Sequence, residues 1–567
     1  MTRRFVLAIL AIVVLAGVLR GLWLRSDPPI AGSVGIVWHD EGAWVHNARN
    51  RALWGAWRTD AWNPVFVAPV FTALEFGAFE MFGVGTWQAR TVPVASGLMA
   101  VLALMAGLLA ISSRRAALFG GVLLASNYGF VMWNRAALME STMTALLVVS
   151  WAAYALSERR PVWGWIAGIA AVLAWFTKAS AAFFIAALLL DVVLTLGLSF
   201  VSAKSGAPRR AALLTLAGVA ASAVAIAAVF VVPHWTEYRF YNWQMSVTRK
   251  PSYTLRALVD RASWLPLVQD LFTRMWLVFT AAMVGVVAVA TRWRSARPAE
   301  RLLVFWLLIG LTELVVHDSG NVRRYVMFIP AIVGLAALVL SSRTPVLAAD
   351  GATGWLRILL VPVVLSVSYL VAGSASRVFL ARTIDAGHLS LAVRLSALAA
   401  IVIAGLVAMF WRRIVALGSR RPPSSALFCV CLAATIACDL YSYVAWAMHR
   451  HQTNYLASVA LGQALPAGTL VQGKLANGLS LENRIRPVFI GNGFGNYDDR
   501  LQRDDVRYLL TYDLPRIGYE SSDGSGLIDG ILEHYPRRTT VRTFEVDETP
   551  EPDRAALIDK LPDVVGR

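Results

Sequence analysis

The chain has 567 residues, 57% of them hydrophobic and 15% charged, with a formal net charge of +17. Soluble globular chains are nearer a quarter charged, so this composition excludes an ordinary soluble enzyme and points to a membrane protein. Residues 449–567 hold 14 Lys/Arg and 17 Asp/Glu against 38 and 18 in the remainder. The basic excess therefore brackets apolar spans, where it suits anionic headgroups or a phosphorylated lipid, and it forms no basic face for nucleic acid.

The apolar residues fall in blocks of about twenty without strict alternation, which predicts helices rather than barrel strands. The first block, Phe5 to Leu24, carries only Arg20 and follows Met1-Thr-Arg-Arg. It is long and lacks a small-residue cleavage site, so it reads as a retained helix with its N-terminus in the cytoplasm. A long external loop follows, residues 26–87. Within it Glu41 to Trp57 reads as one surface helix, and Val65 to Phe82 as a second interfacial or re-entrant piece.

Further spans are expected at 88–111, 117–134, 138–156, 162–176, 180–199, 211–233, 266–290, 302–316, 325–341, 355–373, 391–411 and 425–447, about thirteen in all. Arg114 and Arg115, Arg159 and Arg160, Lys204 with Arg209 and Arg210, Arg292 to Arg301 and Arg412 to Arg421 fall on one side of this series. By the positive-inside tendency that side is the cytoplasm, and an odd number of spans puts the tail outside. Residues 234–265 break the pattern with Arg239, Arg249, Lys250, Arg256 and Arg261 on the external side, where an anionic lipid headgroup would use them. Cys429, Cys431 and Cys438 sit in one apolar block and offer neither a disulfide framework nor a CxxC pair.

The tail, residues 449–567, has the charge density of a soluble protein. Short strand-like runs (Thr469–Gln472, Pro487–Ile490, Val506–Tyr512, Thr539–Val546) alternate with helical patterns (Asn454–Leu465, Arg554–Leu561), which predicts a small external α/β domain. The run Gly491-Asn-Gly-Phe-Gly-Asn reads as a loop.

Only 18 carboxylates precede residue 449, and ionisable groups at membrane depth are expensive enough to mark function. His39-Asp40-Glu41 places two adjacent acids after the first span. A general base needs a carboxylate at the edge of a partly dry cleft, although Asp40 at this place would equally serve as a helix N-cap. Glu140 stands at the outer end of another span, five residues after Arg135, as a second acid or as half of an interfacial ion pair. Lys178, Arg323 and Arg324 stand at outer turns, where a bound phosphate wants a fixed cation and where snorkelling would also put them. His317 with Asp40 or Glu41, joined by His39 and Asp318, has the ligand types for a divalent metal but no spacing signature. Glu75, Glu80, Asp191, Glu313 and Asp439 read as helix-packing or interfacial groups. No P-loop, GxSxG, HExxH or dinucleotide fingerprint is present.

An Asp-Glu pair after the first span, followed by an interfacial helix, resembles the polyprenyl-phosphate-dependent glycosyltransferases of the membrane GT-C fold. Phe82-Gly-Val-Gly-Thr-Trp-Gln-Ala-Arg90, Arg135 to Glu140, Phe176-Thr-Lys178-Ala and Arg324-Tyr-Val-Met-Phe-Ile-Pro330 follow in an order and spacing similar to that family's, up to about residue 340. The relatives are protein O-mannosyltransferases and the aminoarabinose and other lipopolysaccharide sugar transferases. The resemblance implies a GT-C transmembrane domain over 1–448. It implies a catalytic Asp40 with Glu41 beside it, Glu140 as second acid, and Arg135, Lys178, Arg323 and Arg324 near the donor phosphate. It also implies an inverting transfer, without a certain cofactor, from a polyprenyl-phosphate sugar to an envelope lipid, glycan or protein. The first loop reads Trp62-Asn-Pro-Val-Phe-Val-Ala-Pro-Val-Phe and lacks the Lys-Pro-Pro element of the lipid A aminoarabinose transferases. Two other classes compete: a flippase or transporter for lipid-linked sugars, which would show repeated halves and broken mid-membrane helices, and a non-catalytic envelope assembly protein.

Overall fold

The computed structural model describes residues 2–28, 37–201, 206–245, 253–272, 274–318, 320–342, 425–490, 503–512, 531–547 and 552–561, with scattered positions between 395 and 413. The span expected at 355–373, most of 391–411, the glycine-rich run at 491–496, and Arg249 and Lys250 lie outside the described residues.

Six described helices are long and apolar enough to cross a membrane, among them Arg3–Gly21, Thr86–Ile111 and Met139–Ser157. Shorter apolar helices, Trp163–Thr177 and Trp276–Thr291, and the longer Pro298–His317 and Ser425–Met448 fall on other expected spans. The Arg323–Leu340 and Met139–Ser157 spans are the most enclosed of the six, 89% and 83% buried, whereas the Ala207–Val231 span is 11% buried. Val224 and Val229 there are exposed, as an apolar face turned to lipid requires. Where helices meet closely the residues are small. A Cβ on Gly168 would stand 2.4 Å from the carbonyl oxygen of Thr215, so this glycine sets how near the two backbones come. Asp191, taken from sequence as a packing group, is buried between Arg301 (2.6 Å) and Tyr154 (2.8 Å), and ties three helices together.

The basic turns gather at one end of the bundle. There Arg159 donates to the Ala110 carbonyl at 2.7 Å, and Arg297 lies 3.9 Å from Glu158. Chain alternation puts residues 22–28, 37–86, 134–139, 178–181, 318 and 320–324 at the other end, where the long first loop lies. Its expected single surface helix is two, Val37–Trp44 and His46–Trp54, broken at Val45 and closed by Gly55 at φ 72°. Asp40 accordingly lies inside the first turn of a helix that begins at Val37, and it is not an N-cap. Pro69–Phe82 is one helix of 14 residues, roughly 21 Å long, too short for a hydrocarbon layer of about 30 Å.

The tail forms a five-stranded sheet in the order β2-β1-β3-β5-β4, with β1 Leu470–Gln472, β2 Arg486–Val488, β3 Tyr508–Tyr512, β4 Thr539–Asp547 and β5 Pro552–Asp559. β1 pairs in parallel with β2 and β3, while β5 runs antiparallel to β3 and β4. The helical expectation for Arg554–Leu561 is corrected here, because that segment is β5. Its Ala555 and Leu557 pack in one hydrophobic cluster and Ala556 and Ile558 in another, on the two faces of the sheet. A strand buried on both faces loses its alternation and reads like a buried helix. Gly473, at φ 118°, has room only for hydrogen, since a Cβ would meet the Leu510 carbonyl oxygen at 2.3 Å.

The tail docks on the first loop. Arg49 is fully buried and donates to the carbonyls of Ser480 (3.0 Å), Asn483 (2.9 Å) and Ile485 (3.0 Å). Burial lowers its pKa to about 9, so these carbonyl dipoles carry the cost of keeping it charged. A Cβ on Gly42 would lie 1.9 Å from the carbonyl oxygen of Asn477. Gly42→Ala is therefore expected to cost about 1–3 kcal/mol and to loosen the tail from the loop. Thermal unfolding in detergent and faster proteolytic release of the tail would register this, and unchanged proteolysis would contradict the docking.

Candidate active site

At the end of the bundle opposite the basic turns lies a cavity of about 350 Å³. Its lining combines Asp40 from the first loop with Lys178, Arg323 and Arg324 from the membrane region and Phe489 from the tail.

Local structure explains how these side chains arrive there. Lys178 is the C-cap of the Trp163–Thr177 helix, in an extended conformation, so the chain leaves the helix there and turns through Ala179–Ala181 into the next. Arg323 and Arg324 lie on a 3₁₀ turn, Val322–Met327, ahead of a helix that starts with Pro330 in its first turn, where the fixed φ of proline is preorganised. Glu140 lies in the first turn of Met139–Ser157, where the helix dipole favours a carboxylate.

Asp40 is ion-paired with Arg323, and both are buried. Nε and Nη2 of Arg323 are buried and have no hydrogen-bond partner among the described residues. Arg324 pairs with Glu313 and lies 3.8 Å from Asp318, and its Nε is likewise unpartnered. Lys178 Nζ lies 2.5 Å from Glu140 Oε1. Glu140 thus stands behind Lys178 as its counter-ion, and three cations face one small space with their charges balanced by acids.

Two expected site residues are placed elsewhere. Glu41 does not line the cavity. Its Oε1 accepts from Arg90 Nε (2.8 Å) and from the Ala137 amide (2.7 Å), and its Oε2 accepts from Arg90 Nη2 (2.7 Å). A carboxylate gripped by a guanidinium fork and a backbone amide fixes the first loop to the Thr86–Ile111 helix and to the turn before the Met139–Ser157 helix, and this geometry does not present it as a base. Arg135 donates to the carbonyls of Leu19, Arg20, Leu22 and Trp23 at 2.6–3.1 Å and stacks on Trp446, so it closes the C-terminal end of the first helix and does not line the cavity. His317 lines the cavity with Asp40, stacked 4.2 Å from Tyr253. The side chain of His39 lies outside the described residues, and no three of His, Cys, Asp and Glu converge as a metal site among those described. Of the basic residues of the 234–265 loop, Arg256 lines an adjoining groove and not this cavity.

Sequence reasoning missed several participants. Arg90 closes one of the motif elements but only its partner, Glu41, shows its use. Glu313, classed as a packing group, lines the cavity and holds Arg324. Trp62 and Phe489 lie more than 400 residues apart in the chain, and no local signal joins them. Glu75, also taken as a packing or interfacial group, is fully buried, and neither carboxylate oxygen has a hydrogen-bond partner among the described residues. Burial, with the nearby Glu41 charge, pushes its carboxyl well above the usual range and favours the protonated form.

No family model matches the chain, and no curated protein matches it. Among solved structures, the fold is similar to that of ArnT from Cupriavidus metallidurans, both bound to undecaprenyl phosphate and in the apo state. Each comparison has a TM-score of 0.52 and 17% identity over 99% of this chain, covering 99% and 98% of those chains respectively. The likeness shows the fold: a polytopic bundle of apolar helices with a small C-terminal α/β domain.

Glu41→Ala leaves Arg90 buried without its partner and is expected to cost about 3–5 kcal/mol of stability. Glu75→Gln replaces one neutral group by another and is expected to leave stability within about 0.5 kcal/mol. Thermal unfolding of the two variants in the same detergent checks the contrast.

Proposed function

We propose that the protein is a membrane glycosyltransferase that moves a monosaccharide from a polyprenyl-phosphate carrier to a hydroxyl of an envelope acceptor, at the external face of the cytoplasmic membrane. The observation that carries this reading is one cavity that holds a buried carboxylate, Asp40, beside the unpartnered nitrogens of Arg323 and the ammonium of Lys178. The solved ArnT with this fold was crystallised bound to undecaprenyl phosphate, which supports a lipid phosphate as the ligand.

In the proposed step the acceptor oxygen attacks the anomeric carbon from the side opposite the phosphate. The bond from that carbon to the phosphate oxygen breaks, and the acceptor proton passes to Asp40. The leaving lipid phosphate gains negative charge, which Arg323 Nε and Nη2 and the ammonium of Lys178 neutralise without reorganising. Glu140 balances the charge of Lys178 and holds it at the cavity, and Glu313 does the same for Arg324. The displacement inverts the anomeric centre. A cavity of about 350 Å³ lies within the usual range of small-ligand sites, which suits a monosaccharide and a phosphate. The site's position at one end of the helices, facing away from the basic turns, favours surface chemistry over a transporter's midplane site.

Wild type in proteoliposomes is expected to transfer label from one member of a panel of polyprenyl-phosphate monosaccharides to an envelope extract. Asp40→Asn, which keeps the shape but cannot accept the proton, is expected to reduce transfer by about 10²-fold or more. Equal rates would remove Asp40 as the base, and lipid movement across the bilayer without transfer would favour the flippase.

A further inference from the structure

We infer that the aromatic wall built jointly by the first external loop and the C-terminal domain is the subsite for the donor's sugar ring, so that the tail takes part in choosing which sugar is accepted. This deepens the proposed function and rests on it. Trp62 of the loop and Phe489 of the tail are stacked, with ring centroids 4.7 Å apart and planes at 21°. Trp44 meets Trp62 edge-on at 5.5 Å, and all three rings line the cavity that holds Asp40.

One carboxylate fixes the two stacked rings. Asp60 Oδ2 accepts from the Phe489 amide at 2.8 Å. Its Oδ1 accepts from the Trp62 amide at 3.2 Å and lies 2.9 Å from His46 Nε2. Trp62 Nε1 in turn donates to the Ala43 carbonyl at 2.7 Å, two residues after Glu41. Phe489 directly follows β2, which the three Arg49 bonds to the preceding segment hold in place. The rings are therefore held at backbone level and do not rely on packing alone.

The chemistry of this wall matches a sugar better than a lipid tail. A pyranose or furanose presents a C–H face, which the electron-rich face of an aromatic ring attracts, and a rim of hydroxyls. For that rim the same cavity offers Asn321 Oδ1, which is buried and has no partner among the described residues. An isoprenoid chain would need an elongated apolar groove. Here the walls alternate aromatic rings with Asn242, Asn321 and charged groups in a compact space.

The test compares two lipids on the full chain in nanodiscs: polyprenyl phosphate and polyprenyl-phosphate monosaccharide. For Phe489→Leu, the affinity for the sugar-bearing lipid is expected to fall about three- to tenfold, while that for polyprenyl phosphate stays unchanged. Phe489→Tyr is expected to restore it, and Trp62→Phe to show a smaller change of the same kind. Discrimination among a panel of donor sugars is expected to relax in Phe489→Leu. Equal loss for both lipids, or a loss that tracks a lowered Tm, would make the contact structural only and overturn the inference. A change confined to the KM of the acceptor would assign the wall to the acceptor instead, and no change at all would leave the wall without a ligand. If wild type transfers no sugar, the glycosyltransferase reading falls by itself, and the comparison of the two lipids still decides whether this wall holds a sugar.

Discussion

Asp40 and Arg323 meet across the gap between the long first loop and the turn that precedes the Ile329–Leu340 helix. Two buried charges are tolerated only when they are paired, because taking either out of water costs several kcal/mol. The pair therefore constrains everything around it. The loop must come down onto the bundle, the turn must end in a helix that holds Arg323 rigid, and water must be largely kept out. Arg323 is larger than its task as a counter-ion requires: it keeps two nitrogens unspent. A guanidinium that balances one anion while facing a cavity is organised to receive a second.

The loop that carries Asp40 is held from three sides. Arg90 grips Glu41 next to it, the helix Trp235–Trp243 contacts it through Tyr241 and Asn242, and the tail pins it through Arg49 and Asp60. Adjacent acids thus have opposite fates: Glu41 is spent on anchoring, and Asp40 is left at the cavity. In a chain whose loops would otherwise move at the membrane surface, this division supplies the rigidity that a reacting group needs.

The fold was largely legible in the sequence because lipid imposes such strong rules. Apolar blocks of fixed length announced the spans, and the basic turns between them gather at one end of the bundle. The soluble tail stood out by charge alone. Asp40, Lys178, Arg323 and Arg324 stand out in the sequence because charges at the ends of apolar spans are rare, and all four line the same cavity. Glu41 and Arg135 were misplaced for the same reason, since rarity marks an ionisable residue without saying whether it faces a ligand or caps a helix. β5 was misread because burial on both faces erased its alternation. The contribution of the tail to the cavity was invisible, because Trp62 and Phe489 are brought together only by the docked domain, and no periodicity reports a contact between distant segments.

The central claim is that the lipid phosphate binds between Arg323 and Lys178, beside Asp40. The most direct measurement is an electron cryomicroscopy structure of the full chain in a nanodisc with polyprenyl phosphate bound. The account predicts density for the phosphate within hydrogen-bonding distance of Arg323 Nε or Nη2 and of Lys178 Nζ, with the isoprenoid chain running toward lipid. A phosphate resolved away from that cavity, for example against the arginines of residues 234–265, would contradict it.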